Sequence, residues 1–544
     1  MKMHASRLGL VLLWALLTLV SLWARPLIPI DETRYAAVAW EMWLRGDWLV
    51  PHINGEPYSH KPPLLFWLIN LGWAVLGTGD WVPRLVTALV TLGDLLLLGA
   101  LARRLWPHDT RTSLIAPWLF YGSLSIALFS TTLMFDLLMT AAVLVGLLGL
   151  TGAWQRGSWH DWGLYGLGIG LGILSKGPAI LVYLLPVALL APWWMTTGYP
   201  GGWKRWYSNT ALALLAGACL ALLWAIPAAI QGGEAYREMI LWGQTTGRMV
   251  QSFAHARPWW WYLPILPILL LPWSLWLPLW RGLPGLRAHA GAAERFCLAW
   301  FVPGLLAFSA ISGKQVHYLL PLLPALILLG ARALEARADT PSPGRLAIAL
   351  ALAPFAFIAL ALTIAPFLAT QRQWPTWVAE LSPGWGLTLL ALTLLWALIL
   401  HRLEANRWLA AFPVAFLAGL HIGVLRIAAP AFEMPQLSAT LATLQAQGTV
   451  VAASAQYRDQ YPFSLRLTKP LQLIPEGDEL AWAQANPTGV LLVNHKAMSA
   501  EQRKAALITQ TFRGSDAALW PATTLTRHPD YLSNERVEDA NATE

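Results

Sequence analysis

Long apolar runs recur along the first 430 residues and stop there. They lie at about 8–24, 62–78, 82–105, 111–129, 131–152, 161–175, 177–195, 208–230, 259–280, 294–311, 316–336, 345–370, 384–402 and 408–428. Runs of this length and polarity predict helices that cross a membrane. Past residue 430 the pattern changes. "TVVAAS", "LQLIP" and "GVLLVNH" are short apolar runs between polar stretches such as "SAEQRKAALITQ". They predict strands alternating with helices in a small α/β domain over 431–544.

Charge sets the topology of the fourteen runs. If 62–78 does not cross, 16 Lys and Arg before residue 430 fall on the same side as Lys2 and Arg7, and 12 fall opposite. If it crosses, the division becomes 10 and 18. Cytoplasmic loops carry the excess of Lys and Arg, so the first assignment is preferred. "KPPLLFWLINLGWAVLG" is then a helix lying against the outer face, opened by a Pro pair that suits a helix start. The expectation is about thirteen transmembrane helices in a multi-pass domain over 1–430. The N-terminus is inside, the C-terminal domain outside, and the large outer loops are 25–81 and 231–258. The first run has no small-x-small cleavage pattern after it and reads as an uncleaved anchor.

Composition agrees with this class. The chain of 544 residues is 56% hydrophobic and 12% charged, where a soluble globule carries about 25% charged residues. Cys219 and Cys297 both lie inside apolar runs, so no disulfide framework is expected. The net charge of +8 is accounted for by membrane-flanking Lys and Arg and calls for no nucleic acid. Neither a Walker loop nor a G-x-G-x-x-G opening a helix is present, which argues against nucleotide-driven work.

Candidate chemistry gathers on the outer side. "IPIDETRYAAVAWEMW" places Asp31 and Glu32 just after the first span. Acids favour the first turn of a helix, and Arg34 can pair with either, so a solvated helix start is one reading. Their company supplies the other. The same loop holds Tyr58, His60 and Lys61, the second loop holds Arg248, His255 and Arg257, and outer turns hold Lys176, Lys314, His317 and Tyr318. Asp136 lies about five residues into a span, where an ionisable group is a functional candidate. Each single Lys or Arg is otherwise an interfacial side chain with its charge in the headgroups. Several on one face suit a lipid phosphate or pyrophosphate, which takes charge-assisted contacts from Lys and Arg. A carboxylate beside them can orient an acceptor or an amine. No pair of His has a local ligand spacing. A divalent ion such as Zn or Mg is therefore not required, and His60 with His255 is the candidate pair for one.

These residues carry a family resemblance. "PIDETRYAAVAWEMWLRGDWLVPHINGEPYSHKPPLLFW" resembles the bacterial 4-amino-4-deoxy-L-arabinose transferases that modify lipid A. These are membrane glycosyltransferases of the GT-C fold, related to protein O-mannosyltransferases. "ILSKGP", "HARPWWWYLP" and "SGKQVHYLLP" resemble later signatures of the same family, in order across 8–430. One departure is His60, where close relatives can carry an acid that could make a metal contact. The resemblance implies an undecaprenyl phosphate-linked aminoarabinose as donor and a lipid A phosphate as acceptor. It implies inversion at the sugar and an outer, periplasmic site in a bacterial inner membrane. Resistance to cationic antimicrobial peptides and polymyxin would follow.

On that basis Asp31, Glu32 and Asp136 are the expected catalytic group. Asp31 acts on the acceptor or the sugar amine, Glu32 serves local structure through Arg34, and Asp136 partners a basic residue. Lys61, Arg248, Lys176 and Lys314 are expected to hold the carrier phosphate. Arg34, Tyr35, Tyr58, His255 and Tyr318 are expected to contact substrate. Loop 231–258, with Gly233, Gly243 and Gly247, is expected to order over the site on binding. The carrier-linked sugar, lipid A and membrane lipid are the expected partners, nucleic acid is not, and the chain is expected to act as a monomer. Two other readings stay open. One is a GT-C mannosyl or other sugar transferase acting on protein or glycan. The other is a flippase or transporter, against which the odd span number and the appended domain argue.

Overall fold

A computed structural model of the chain describes residues 2–240, 256–288, 290–335, 343–372, 374–401, 404–454, 462–512 and 514–532. Ten helices among them are long and apolar enough to cross a membrane. The thirteen expected spans map onto these ten plus three breaks. Segments 161–175 and 177–195 fall in one apolar stretch, Trp159–Leu189, but the chain folds back at Gly177 (φ 74°), so that Tyr165 of the first piece donates to the Leu184 carbonyl of the second at 3.2 Å. Segment 111–129 splits into Thr110–Tyr121 and Leu124–Phe129, with Pro117 inside the first piece and Gly122 after it. Segment 259–280 is interrupted by Pro264, Pro267 and Pro272 and breaks into short helical pieces. Proline removes a backbone donor and clashes with the preceding turn, so these runs are apolar without being single helices.

Eight helices place the site: α1 (Lys2–Ala24), α2 (Asp31–Arg45), α3 (Leu64–Leu76), α4 (Val82–Leu105), α5 (Thr110–Tyr121), α6 (Leu124–Phe129), α7 (Asp136–Arg156) and α8 (Trp159–Lys176). The 13 residues of α3 are about 20 Å long, short of the ~30 Å hydrocarbon layer. Helix α3 packs its Leu65, Phe66, Ile69, Asn70 and Trp73 inward. Asn70 donates to the Ala39 carbonyl of α2 at 3.2 Å, and a Cβ on Gly72 would stand 2.9 Å from Val82 of α4.

Helices α7 and α8 approach closely because small residues face each other, the device that lets membrane helices pack backbone to backbone. A Cβ on Gly168 would lie 2.5 Å from the Gly146 Cα, and one on Gly149 would lie 2.4 Å from the Tyr165 nitrogen. The pair is antiparallel. The start of α7 therefore meets the end of α8, and its other end, Arg156, pairs with Asp161 of α8.

The C-terminal region builds a five-stranded sheet from β3 (Val451–Ser454), β4 (Gln472–Ile474), β5 (Val490–His495), β6 (Ile508–Phe512) and β7 (Ser515–Pro521). A two-stranded hairpin, β1 (His52–Ile53) and β2 (Glu56–Pro57), precedes it in the loop between α2 and α3. The strand order is β4-β3-β5-β7-β6. The β3 pairings are parallel, and those of β7 with β5 and β6 are antiparallel. The three runs read as strands are β3, β4 and β5. The stretch "SAEQRKAALITQ", read as helical, is helical only over Ala500–Ala505. Its end enters β6, where Ile508, Thr509 and Thr511 are β-branched and pair with β7 across a turn at Gly514 (φ 82°). β-Branched side chains fit a pleated sheet and lose freedom in a helix.

Candidate active site

Helix α2 begins the site. Asp31 and Glu32 occupy its first turn, where acids meet the positive end of the helix dipole. The two side chains differ sharply. Glu32 is buried and takes both guanidinium nitrogens of Arg25, at 2.6 and 3.1 Å. It also accepts the backbone N–H groups of Ile28 and Leu133, each at 2.7 Å. Arg25 donates further to the Thr131 carbonyl at 2.5 Å. Arg84, itself buried, donates to the carbonyls of Ser21 and Arg25 at 2.9 and 2.7 Å. Burial alone would raise the Glu32 pKa. Arg25, by charge and hydrogen bonds, then Arg84 and the Ile28 N–H outweigh it and hold the carboxyl below its ordinary range. The expected partner Arg34 is therefore replaced by Arg25. Glu32 is a buried clamp that ties the end of α1, the start of α2 and the α6–α7 turn together, and its oxygens face protein on all sides.

Asp31 is left open. Its side chain is 46% exposed and makes only a loose pair with Arg34, 3.8 Å away and half-buried. Across from it stands the second acid. Asp136 opens α7 and Lys176 closes α8, and the antiparallel packing brings Lys176 Nζ to 2.6 Å from Asp136 Oδ1. The Asp136 side chain is 2% exposed and that of Lys176 15%. Each charge also suits its helix end, negative at an N-terminus and positive at a C-terminus. The Asp136 Oδ2 is buried with no hydrogen-bond partner among the described residues. Lys176 Nζ sits over the Tyr318 ring, 4.8 Å from its centre.

His317 joins these parts. Its ring packs on Tyr318 at 5.0 Å and on Phe129 at 6.4 Å between centres. Asp136, Lys176, Asp31 and Lys61 all lie close enough to act on its charge. Asp136 and Lys176 are in contact, and Lys176 and His317 share the Tyr318 ring, with Asp31 of α2 and Lys61 of the 58–63 turn in the same neighbourhood. Ammonium groups in one neighbourhood with a half-exposed carboxylate can hold a phosphate and orient a second polar group near it.

Several expected residues stand elsewhere. Tyr35 and Tyr58, expected to contact substrate, are buried. Tyr35 packs edge-on to Phe135 at 4.9 Å, and Tyr58 lies against Phe66 and His60. Their rings form the wall behind the site, since aromatic rings bury large apolar area wherever partners are at hand. Burial, followed by Asp31, Tyr58 and Asp136, raises the Tyr35 hydroxyl pKa well above its ordinary value. Lys314, expected in the phosphate set, is buried as well. It is 3% exposed and donates to the carbonyls of Arg257, at 3.0 Å, and Ile311. Those bonds occupy two of its three donors and tie the end of helix Ala292–Ala310 to the segment at Arg257, which also makes an isolated bridge between Ala256 and Gly313. Burial lowers the Lys314 pKa. Arg248, His255, Gly243 and Gly247 lie outside the described residues. Among the described residues no three His, Cys, Asp or Glu side chains group as metal ligands, and His60 is half-buried against Tyr58 at 5.2 Å.

Sequence reading missed Arg25, Arg84 and a contribution from the far end of the chain. Loop 462–471, between β3 and β4, lies on α2 and the β1–β2 hairpin. Trp40 donates to the Leu467 carbonyl at 2.8 Å, and Asn54 exchanges hydrogen bonds with the Leu471 backbone at 3.1 and 3.0 Å. Arg25 and Arg84 gave one signal, as charges at the edge of apolar runs. Loop 462–471 gave none.

The description "Dolichyl-phosphate-mannose-protein mannosyltransferase" matches residues 60–230. The undecaprenyl phosphate-alpha-4-amino-4-deoxy-L-arabinose arabinosyl transferase of Pseudomonas aeruginosa is 37% identical over 311 residues, covering 55% of this chain and 54% of the relative. Its counterpart in Edwardsiella ictaluri is 35% identical over 341 residues, 60% of this chain and 59% of the relative. The chain thus spans between half and three fifths of the length of these curated relatives. The structure of ArnT from Cupriavidus metallidurans bound to undecaprenyl phosphate superposes with a TM-score of 0.71 at 20% identity, covering 94% of this chain and 97% of that one. The apo form of that protein gives 0.72. This likeness shows the fold: an ArnT-like, GT-C membrane body with a sheet region near its C-terminus. In sequence the chain resembles the aminoarabinose transferases over just over half its length.

Proposed function

We propose that the chain moves 4-amino-4-deoxy-L-arabinose from undecaprenyl phosphate to a phosphate of lipid A, with inversion. The observation that carries the reading is the convergence of exposed Asp31 with Lys61, Lys176, Asp136 and His317, in a fold shared with a protein solved with undecaprenyl phosphate.

Lys61 and Lys176 hold the carrier phosphate, with Arg248 as the third cation from the second loop. Asp136 fixes Lys176 and keeps its ammonium aimed. Asp31 orients the acceptor or binds the sugar amine. A phosphomonoester has its second pKa at about 6, so the acceptor is already an anion near neutral pH and requires no strong base. Its oxygen attacks the anomeric carbon from the face opposite the carrier. The bond from that carbon to the carrier oxygen breaks, and the electron pair leaves with the carrier phosphate, where the lysines stabilise it. No step is assigned to a metal ion.

The reaction is placed at the periplasmic face of a bacterial inner membrane, with the chain acting as a monomer. Arg104, Arg156 and Arg332 bond at helix ends remote from the site, with Leu148, Asp161 and Asp109. That is the end expected to face the cytoplasm. Capping a lipid A phosphate with an amino sugar removes surface negative charge, which weakens attraction for cationic peptides and polymyxin.

The family match over 60–230 favours one other reading, a sugar transferase acting on protein or glycan. Expression in a bacterium that makes the carrier-linked aminoarabinose but lacks its own transferase separates the two. The proposal expects lipid A carrying the amino sugar, seen by mass spectrometry. Unmodified lipid A beside newly glycosylated protein would establish the other reading.

A further inference from the structure

We propose that the C-terminal region is a working part of the transfer site, and that Phe463 and Arg466 are positioning residues which set the aim of Asp31. The inference rests on the transfer reaction given above.

Asp31 does little to place itself, since its one ion pair among the described residues is 3.8 Å long and half exposed. Its direction is inherited from α2. That helix is not among those long and apolar enough to span, and its start rests on the bundle through Tyr35 against Phe135. Glu32 pins one point through Arg25 and Leu133. Helix α3 steadies the middle of the rod through Asn70 and the Ala39 carbonyl, and the C-terminal region adds a fixed point to its far half.

Trp40 supplies that point, eight residues on from Glu32 and about 12 Å along the axis. Its indole donates to Leu467 at 2.8 Å. Phe463, fully buried, sits in one apolar cluster with Tyr35, Trp40, Phe66, Trp73 and Phe135. Its ring stacks on Trp73 at 5.0 Å and meets Trp40 at 5.7 Å. The Arg466 guanidinium covers this plug, 4.2 Å from the Phe463 ring centre and 5.4 Å from that of Trp40, and pairs with Asp80 at 2.5 Å. Arg466 holds φ at 52°, a region that residues other than glycine seldom occupy. The loop is thus turned so that Phe463 enters the cluster and Arg466 closes over it.

The cluster that receives Phe463 is also the wall behind the site. Removing the plug frees the distal half of α2 without touching the lysines that hold the carrier. Reacting groups must be aimed to within about 10–20°, and a small misplacement is felt in turnover before it is felt in binding.

The test uses the full chain in lipid nanodiscs, with Arg466→Ala, Arg466→Lys and Phe463→Leu. Turnover at saturating donor is divided by the number of molecules that bind undecaprenyl phosphate, so that lost protein does not count as lost catalysis. The expectation for Arg466→Ala and Phe463→Leu is a fall in kcat of about tenfold or more. Carrier affinity is unchanged, and Arg466→Lys recovers most of the rate. Wild-type turnover per carrier-binding molecule in both variants would overturn the proposal, as would loss of carrier binding in step with rate. Hydrogen exchange at residues 31–34 is read alongside and does not depend on the reaction. If the wild type transfers no sugar, the proposed function fails. Faster exchange at 31–34 in the variants still supports the positioning, and unchanged exchange rejects it.

Discussion

Replacing Glu32 by Gln tests the buried clamp. The Arg25 and Glu32 side chains are 2% and 7% exposed, so neither has water to turn to. The carboxylate accepts four hydrogen bonds, two from Arg25 and one each from Ile28 and Leu133. An amide keeps one oxygen and turns an NH2 toward donors, leaving at least one of the four facing another N–H. Arg25 also keeps a buried charge without its ionic partner. Breaking a buried pair from one side costs about 3–5 kcal/mol, and the oxygen that Gln retains puts the loss near the lower figure. The assay is a heat challenge of detergent-solubilised protein followed by size-exclusion chromatography. Glu32→Gln should lose its monodisperse peak at clearly lower temperature than wild type, while Asp31→Asn, at a half-exposed position, should match wild type. Equal heat stability of Glu32→Gln and wild type would refute the reasoning. The pH dependence has a defined sign. The folded carboxyl lies below its ordinary value of 4.5, so its contribution is present above about that pH and is lost as pH falls through the folded value. The gap between wild type and Glu32→Gln should therefore narrow in acid.

Other substitutions divide the cations by role. Lys61→Ala should weaken undecaprenyl phosphate binding by about 2–5 kcal/mol, read by titration of the purified protein; unchanged affinity would remove Lys61 from the site. Lys176→Met leaves the Asp136 carboxylate buried without a partner, and should lower both heat stability and carrier affinity, the stability by about 3–5 kcal/mol. Lys314→Met should destabilise the 311–318 turn yet leave carrier affinity at the wild-type value, because its ammonium serves the Arg257 and Ile311 carbonyls. A loss of affinity in that variant would return Lys314 to the phosphate set.

How far the sequence reaches differs from element to element. The membrane helices are legible because long apolar runs leave few alternatives, and Pro117, Pro267 and Pro272 mark the runs that break. Strands β3, β4 and β5 are legible as apolar runs between turns. The hairpin of β6 and β7 is hidden because "LITQ" continues a helical pattern, and only its pairing with β7 decides against it. Asp31, Lys61, Asp136 and Lys176 stand out because charge is rare and costly beside apolar segments. What no local pattern carries is partner choice. Glu32 has Arg34 two residues away and takes Arg25 instead, since the buried guanidinium has nowhere else to put its charge. The reach of Phe463 back to Trp73, across 390 residues of chain, is set by tertiary packing.

The most direct measurement is transfer by the purified chain, reconstituted with a synthetic undecaprenyl phosphate-linked aminoarabinose and lipid A. The products are read by mass spectrometry for wild type and Asp31→Asn. The account predicts lipid A gaining the amino sugar on a phosphate, with its anomeric configuration inverted. It predicts that Asp31→Asn binds the carrier normally and transfers almost nothing. Wild-type protein that leaves lipid A unmodified, or Asp31→Asn that transfers at the wild-type rate, would contradict it.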